Sequence, residues 1–355
     1  MGPPGAPDAA AGIVTSPHGL VERLEGRLRE VLAPLTEGGR RWALLDYPRY
    51  ANAGDSAIWV GTLRCFRVLG APPPVRTSDL RAFDPDRLAP RLGDGTIFLS
   101  GGGNFGDLYP VHQRFREAVV QAFPHNRIVQ LPQTIHFSSN EHVARTRRVL
   151  ARHGDFVLMV RDHRSKEFAE AQLGIQATLC PDMAFGLGSL TPSGPPSRDA
   201  LWLLRADQEA ASSSASAPPA ARDWCGDDFL LARAQHAVGR RLARARTGAG
   251  RAVLHWALER TYRRVALRRL DRAVELLSTA RRVATDRLHG HILCLLLGVP
   301  HVVLGDRHGK VLRFREAWTA ASGLAIPARS LDEARTLMAS SRVDAGEDRG
   351  GEACA

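Results

Sequence analysis

Arg287 and His289 are the residues of this sequence best suited to acid–base chemistry on a negatively charged ligand. They lie within residues 282–305, in a polar turn between two apolar stretches. A guanidinium is a fixed cation that can bind phosphate or carboxylate, and an imidazole exchanges protons near neutral pH. The alternative is that Arg287 pairs with its neighbour Asp286 and that His289 only packs against the fold.

The pattern around these two residues predicts a strand, a loop, a helix and a second strand. Residues 283–284 are apolar, residues 292–297 form a compact apolar run, and residues 301–304 are strand-like after Gly298 and Pro300. In open α/β sheets, ligands bind at the carboxyl ends of strands. Arg287 and His289 follow a predicted strand and should therefore lie at such an end.

The same alternation of strands and helices runs through the rest of the chain and predicts a largely parallel sheet. Polar turns separate the elements, and one of them is Pro132-Gln133-Thr134, after a strand that is predicted to end at Leu131. The main predicted strands are 41–47, 96–100, 127–131, 156–160 and 200–205, and the main helices are 20–35, 56–69, 114–123, 141–152, a helix ending at 173, and one or two helices in 229–278.

The chain is long enough, at 355 residues, for two domains of ordinary size. A Pro/Ser/Gly-rich linker at 191–199 divides a first domain, 18–190, from a second, 200–340. Within the second domain, the Ser/Ala/Pro-rich stretch 206–222 is predicted to be a disordered loop. Disordered tails are expected at 1–17 and 341–355.

Composition narrows the class of protein. Hydrophobic residues make up 44% and charged residues 24%, which is typical of a globular protein. The formal net charge of +11 suits an anionic partner. Aromatic residues, at 6%, are too sparse among the basic stretches to predict a nucleic-acid platform.

The cysteines and the apolar stretches predict a cytoplasmic protein. Five cysteines are scattered without a CxxC pair, which argues against disulfides and structural zinc. The first residues lack the features of a signal peptide, and no apolar run reaches the ~18 residues of a membrane span.

A glycine-rich stretch follows the predicted strand at 96–100. Gly101, Gly103 and Gly106 match the spacing of a dinucleotide-binding motif, but no helix begins at the last glycine and no acidic residue follows for a ribose. The absence of GK[ST] excludes a P-loop. We therefore expect these glycines to let backbone approach a ligand; the alternative is a tight turn.

Four further residues are candidates for ligand contacts. Asn52 and Asp55 precede a helix, where Asp55 or Ser56 could instead act only as its N-cap. Arg205 follows a predicted strand and could bind an anion or form an interdomain salt bridge. Lys310, one of two lysines, could bind phosphate or be a solvated loop residue.

His289 and His291 point different ways on a helix, so no metal site is expected.

Seven motifs follow one another along the chain: NAGDSAIW (52–59), SGGGNFGD (100–107), LPQT (131–134), RDHRS (161–165), PDMAFGLG (181–188), LLRADQE (203–209) and ATDRLHGHILCLLLGVPHVVLGDRHGK (284–310). Their order and spacing together are specific. In this combination the chain resembles the polysaccharide pyruvyl transferase family over roughly residues 48–320.

The resemblance implies an α/β fold of two Rossmann-like domains that face each other across a cleft, similar to the GT-B arrangement. It implies that the carboxyvinyl group of phosphoenolpyruvate is transferred to a sugar of an exopolysaccharide or cell-wall glycan, or to its lipid-linked precursor. A pyruvate ketal forms and phosphate is released, with phosphoenolpyruvate as co-substrate and no metal or other cofactor.

This reaction needs a proton donor and cations, and the resemblance places them on this sequence. His289 and Arg287 are the expected catalytic residues. Arg205, Arg287 and Lys310 are expected to bind phosphoenolpyruvate. The residues expected to contact the sugar or line the cleft are Asn52, Asp55, Gly102, Gly103, Asn104 and Asp107.

Two other functions remain open at this stage: a GT-B type glycosyltransferase that uses a nucleotide sugar, and a non-catalytic binding protein on the same scaffold. The stretch 240–269 carries ten arginines and one acidic residue. It could bring the protein to the inner face of an anionic membrane, or it could be a solvated helix face. No nucleic-acid partner is expected, and the sequence does not fix the oligomeric state.

Overall fold

A computed structural model describes residues 17–207, 209–210, 218, 220–226, 229–244 and 249–340. The predicted tails at 1–17 and 341–355 lie outside these residues, except that Pro17 begins the first helix. Much of the predicted loop at 206–222 also lies outside them.

The first part of the chain forms a seven-stranded sheet in which every paired strand is parallel. The strand order is β2-β1-β3-β5-β6-β7, and β4 also pairs with β5. The strands are β1 (Trp42–Leu45), β2 (Arg76–Ser78), β3 (Thr96–Leu99), β4 (Gly102–Gly106), β5 (Ile128–His136), β6 (Phe156–Val160) and β7 (Ala177–Leu179). The helices are α1 (Pro17–Thr36), α2 (Ala53–Val68), α3 (Pro85–Leu92), α4 (Pro110–Ala122), α5 (Asn140–Leu150) and α6 (His163–Phe168).

The second part forms a four-stranded parallel sheet in the order β11-β10-β9-β8. Its strands are β8 (Arg198–Leu203), β9 (Ala280–Thr285), β10 (His301–Leu304) and β11 (Ala325–Ala328). Its helices are α7 (Leu230–Arg244), α8 (Ala249–Ser278), α9 (Leu288–Leu297), α10 (Lys310–Phe314) and α11 (Leu331–Ala339). The predicted α/β alternation with parallel sheets is confirmed, and the helical region 229–278 contains two helices.

Continuous burial explains why several strands read as apolar runs. All residues of β1, β3 and β10 are buried. Strands of parallel sheets are covered on both faces, so they carry apolar residues without alternation. Among the helices of the described residues, none combines the length and the apolar character needed to cross a membrane.

One apolar core connects the two sheets. Buried side chains of α1 and α2 join those of α8 and α9 in a single cluster. The rings of Tyr47 and Tyr262 stack with their centroids 4.1 Å apart, and Arg76 Nη1 donates to Glu259 Oε2 at 3.0 Å. Helix α8 therefore belongs to the second part in sequence but packs on the first.

Two glycines let helix α2 touch the turn Met183–Leu187. A Cβ at Gly61 would lie 2.2 Å from the carbonyl oxygen of Met183, and a Cβ at Gly186 would lie 2.4 Å from that of Gly61. Real Cβ contacts are not this short, so only glycine fits at both positions. The contact fixes the position of Asp182, which caps this turn by accepting a hydrogen bond from Ala184 N at 2.9 Å.

The prediction that a strand ends at Leu131 is wrong, because β5 continues through the predicted turn to His136. Proline lacks the N–H that a sheet ladder needs. The ladder is irregular around Pro132: β5 pairs with β3 up to Gln130 and with β4 from Gln133 onward. The prediction of a glycine loop at 101–106 is also corrected, since Gly102–Gly106 forms β4.

Replacing Gly61 with alanine should destabilise the protein by about 3 kcal/mol or more, because the new methyl group meets backbone that cannot move aside. The matched control is Gly26→Ala in α1, where a Cβ meets nothing within 4 Å. There alanine should stabilise by about 0.5–1 kcal/mol through its higher helix propensity. Urea denaturation measures both; similar effects of the two changes would contradict the close packing.

Candidate active site

A cavity of about 350 Å³ lies where the carboxyl ends of strands from both sheets converge. Arg161 follows β6, Arg205 follows β8 and Arg287 follows β9, so the cations come from three strand ends. Sequence reasoning placed its candidates at such ends, and the structure brings most of them together. The candidates that line the cavity are Asn52, Asp55, Gly103, Asn104, Arg205, Arg287, His289 and Lys310.

His289 lies in the first turn of α9, beside a buried carboxylate. Its Nε2 is 3.6 Å from Asp182 Oδ2 and has no hydrogen-bond partner among the described residues. Burial raises the pKa of Asp182, but His289, Arg161 and the Ala184 N–H outweigh this and hold the pKa well below its usual range. Asp182 is therefore an anion that faces the imidazole.

Gly54 fixes the other side of the His289 ring. A Cβ at Gly54 would lie 2.4 Å from His289 Nδ1 and 2.7 Å from His289 Cβ. The imidazole therefore packs directly on the first turn of α2. Asn52 caps this helix by accepting from Gly54 N at 2.9 Å, and its Nδ2 donates to Asp55 Oδ2 at 2.7 Å. The alternative that Asp55 or Ser56 is the N-cap is thus corrected to Asn52.

Arg161 is a site residue that sequence reasoning did not nominate. Its Nη1 pairs with Asp182 at 2.5 Å and its Nε donates to Thr134 Oγ1 at 2.9 Å, with the side chain almost fully buried. A Cβ at Gly103 would be 3.1 Å from Arg161 Nη2 and 3.8 Å from Lys310 Nζ. These two cationic groups therefore approach the same point at Gly103. The available signal was the position of Arg161 directly after β6.

Arg205 and Lys310 converge on the buried carboxylate of Glu209. Arg205 pairs with both Asp207 oxygens at 2.8 Å and also with Glu209, and Lys310 Nζ pairs with Glu209. Tyr109 donates to Glu209 at 2.9 Å. Burial lowers the pKa of Lys310, and Glu209 only partly offsets this. Burial raises the pKa of Glu209, but Lys310 and Arg205 outweigh it and the pKa is lowered.

Arg287 is held by acidic and aromatic neighbours. Its Nη2 donates to Asp223 Oδ2 at 2.6 Å and to Cys225 Sγ at 3.3 Å. The guanidinium carbon lies 6.0 Å from the centroid of the Trp224 ring. Its Nε is buried and has no hydrogen-bond partner among the described residues. Arg287 therefore donates to Asp223, and no hydrogen bond supports the alternative in which it pairs with its neighbour Asp286.

A second imidazole lines the cavity, on His112 of α4. Its Nδ1 lies 2.8 Å from Asp46 Oδ1, and the interaction outweighs burial and raises the pKa of His112. Asp46 adopts φ +67°, a left-handed conformation that costs energy for a residue other than glycine. The Asn104 amide lies 3.4 Å from the same carboxylate and accepts from Arg116 Nη2 at 3.0 Å. Nothing in the local sequence marked His112.

Asp107 and Gly102 are the residues expected to contact the sugar or line the cleft that lie apart from the other candidates. Neither residue lines the cavity. The Asp107 carboxylate accepts from Ser138 N at 2.8 Å and from Ser139 N at 2.9 Å, so it binds the chain entering α5. Gly102 begins β4 beside Asp55 and has φ +137°, a backbone conformation that favours glycine.

His291 lies away from the cavity, fully buried, with Nδ1 2.7 Å from His301 Nε2. Within the part of the chain that the structure describes, no group of three or more His, Cys, Asp or Glu residues could hold a metal ion.

Comparisons with known proteins agree with one another. A family model described as polysaccharide pyruvyl transferase matches residues 52–308. EpsO of Bacillus subtilis, provisionally named a pyruvyl transferase, is 32% identical over 281 residues, which cover 77% of this chain and 84% of EpsO. Pyruvyl transferase 1 of Schizosaccharomyces pombe is 28% identical over 324 residues, which cover 85% and 76% of the two chains.

A crystal structure of an uncharacterised Klebsiella pneumoniae protein matches the fold. Its TM-score is 0.57 at 15% sequence identity, and the match covers 86% of this chain and 99% of the other.

Above about pH 6, the buried carboxylate of Asp286, next to Arg287, should lower the free energy of unfolding. Its Oδ1 accepts from Arg205 N at 2.9 Å, but burial raises its pKa from 3.8 to about 6. The folded state therefore disfavours the ionised form, and this lowers the free energy of unfolding. The loss is absent below about pH 4, grows as the pH rises, and is complete above about pH 6.

The change Asp286→Asn should remove this penalty, because asparagine can still accept from Arg205 N. At roughly 1.4 kcal/mol per pKa unit, the variant should gain on the order of 2–3 kcal/mol over the original protein at high pH and little near pH 4. Denaturant unfolding at several pH values measures the gap. A gap that does not change with pH would show that the Asp286 pKa is not raised.

Proposed function

Because the chain belongs to the polysaccharide pyruvyl transferase family, we propose that it transfers the carboxyvinyl group of phosphoenolpyruvate to a saccharide. The acceptor would be a sugar of an exopolysaccharide or cell-wall glycan, as the polymer or as its lipid-linked precursor. The observation that carries this proposal is the convergence of Arg161, Arg287, Lys310 and His289 on one cavity. It supplies cations for an anionic donor and an imidazole for proton transfer.

The donor is proposed to bind at Gly103. Phosphoenolpyruvate carries a phosphate and a carboxylate, and charge-assisted hydrogen bonds from guanidinium and ammonium groups suit both. Arg161 Nη2 makes no hydrogen bond among the described residues and lies near Gly103, as does Lys310 Nζ. Arg287 and Arg205 would complete the site. The carboxylates that now pair with these cations would hold them in orientation and exchange partners when the donor binds.

His289 is proposed to protonate the methylene carbon of phosphoenolpyruvate. The adjacent carbon then becomes an oxocarbenium-like centre, and a sugar hydroxyl attacks it, which forms one C–O bond. A second hydroxyl of the same sugar attacks this carbon, the bond to the phosphate oxygen breaks and phosphate leaves. Two hydroxyl protons are released for the one that His289 delivers. We propose that His112, which contacts Asp46 and lines the same cavity, accepts one of them.

We further propose that the two sheets belong to two Rossmann-like domains, 18–190 and 200–340, that face each other in a GT-B-like arrangement. The carboxyl ends of strands from both sheets contribute to one cavity, which supports this division. No cofactor besides the co-substrate is proposed. The four described cysteines are free thiols, in keeping with a cytoplasmic enzyme, which would work at the inner face of the membrane if its acceptor is lipid-linked.

The proposal is tested by measuring phosphate release from phosphoenolpyruvate with a panel of acceptor glycosides, followed by mass spectrometry. Phosphate release together with a product heavier by a pyruvate ketal is the expected result. If no acceptor gives phosphate release while nucleotide sugars bind tightly, the glycosyltransferase alternative is supported instead.

His289→Ala should lower kcat by about 10²–10⁴-fold, the range typical of a lost general acid, with a smaller effect on KM for phosphoenolpyruvate. The control is His125→Ala, since His125 is exposed and outside the cavity. Steady-state kinetics measure both changes, with melting temperatures to confirm folding. Full activity of His289→Ala would remove the assignment of the acid.

Gly54→Ala should displace His289 and lower kcat more than it raises KM, because the new Cβ would occupy the place of the imidazole. Gly26→Ala serves as the control without a neighbouring contact. A double-mutant cycle separates positioning from general damage. In a His289→Gly background both the ring and the Cβ of residue 289 are absent, so Gly54→Ala should cause much less loss of stability. Equal loss in both backgrounds would contradict the contact.

A further inference from the structure

The outward face of α8 is basic over most of its length. Its exposed arginines are Arg260, Arg263, Arg264 and Arg268. The only acidic residue in α7 or in α8 up to Leu270 is Glu259, which is half-buried and bonded to Arg76 and to the backbone of Thr77. Helix α7, packed beside α8, adds further exposed arginines: Arg233, Arg240, Arg241 and Arg244.

Large apolar side chains are exposed on the same face of α8. Val253 is 63% exposed and Trp256 is 57% exposed. Val253, Trp256, Arg260 and Arg264 follow one another at intervals of three or four residues, so their side chains form one stripe. The Arg260 guanidinium lies 4.7 Å from the centroid of the Trp256 ring. A tryptophan beside arginines is typical of surfaces that lie at a membrane–water interface.

An apolar groove adjoins this stripe. It has a volume of about 560 Å³ and runs between α2, the Pro-rich segment 71–74 and α8, with Leu63 and Leu267 among its apolar lining residues. Arg64, Arg67 and Arg263 stand at its rim, are exposed, and form no ion pair with any described residue. Uncompensated cations around an apolar groove match a ligand that has an anionic head and an apolar chain.

We propose that the arginine face, formed by Arg64, Arg67, Arg260, Arg263 and Arg264, docks on an anionic phospholipid membrane. Trp256 and Val253 enter the interface, the arginines contact the lipid phosphates, and the groove receives an apolar chain. A nucleic acid would use the charges but would leave the exposed apolar residues and the groove without a partner. The docking does not depend on the proposed reaction.

The test is flotation with vesicles of phosphatidylcholine alone or mixed with phosphatidylglycerol. The protein should bind only the anionic vesicles, and less as salt is raised. The double variants Arg260→Glu/Arg264→Glu and Arg64→Glu/Arg67→Glu should each weaken partitioning at least about tenfold, because each arginine near an anionic surface contributes measurably to binding. None of these arginines forms an ion pair with a described residue, so their replacement removes no such contact from the described fold.

The matched control is Arg147→Glu/Arg148→Glu on α5. Both residues are exposed, and the double variant changes the net charge by the same amount. It should bind vesicles as the original protein does. Brominated phospholipid should quench part of the tryptophan fluorescence, and Trp256→Phe should abolish that part if Trp256 enters the interface.

Several results would overturn the proposal. Equal binding to neutral vesicles, or an equal loss in the α5 control, would show that the arginine face has no specific part. A dimer that is seen by size exclusion and lost in Arg260→Glu/Arg264→Glu would show that a second copy covers this face. Phosphate release with a soluble acceptor should be unchanged in the arginine-face variants, so docking and catalysis fail or succeed separately.

Discussion

The close packing against helix α2 is the constraint on which the site depends. At one point along α2, Gly61 lets the backbone of the turn Met183–Leu187 approach, which fixes Asp182. At its first turn, Gly54 accepts the ring of His289. One helix thereby sets the distance between an imidazole and a buried carboxylate that come from different sheets. Asp182 also neutralises the buried Arg161. Removing one partner of such a buried ion pair strongly destabilises the protein.

The cavity is rich in cations but is not a strongly positive site. Arg205, Arg287 and Lys310 each have a carboxylate partner, supplied by Asp207, Glu209 and Asp223. Such pairs keep long side chains in one orientation, so little conformational entropy is lost when a ligand binds. Among the described residues, Arg161 Nη2 and Arg287 Nε make no hydrogen bond, so a ligand can bond to them without displacing a partner. Specificity for an anion can thus arise from geometry without an excess of local positive charge.

The sequence predicted the α/β class and many of the residues that line the cavity, because both follow from local patterns. Apolar runs and their periodicity reveal buried strands and helices, and a polar residue after a strand in an α/β protein lies at the ligand-binding edge. This reasoning placed Arg287, His289 and Lys310 at the cavity. It did not reveal His112 or Asp46, which lie far apart in sequence and meet only through tertiary structure. It also did not reveal the partners of Asp107, which begin about thirty residues later and hold this carboxylate outside the cavity lining.

The excess positive charge of the chain does not lie at the cavity, which composition alone could not show. A formal charge of +11 suits an anionic partner but does not say where on the protein that partner binds. Around the cavity, however, Arg161, Arg205, Arg287 and Lys310 are balanced by acidic residues, which include Asp182, Asp207, Glu209 and Asp223. Several exposed arginines that form no ion pair with a described residue lie on the outer surfaces of α2 and α8, among them Arg64, Arg67, Arg260, Arg263 and Arg264. Long-range electrostatic attraction depends on uncompensated surface charge, whereas recognition in a buried cavity depends on the direction of each donor. The net charge of the chain therefore does not describe the cavity, whose chemistry has to be read from individual contacts.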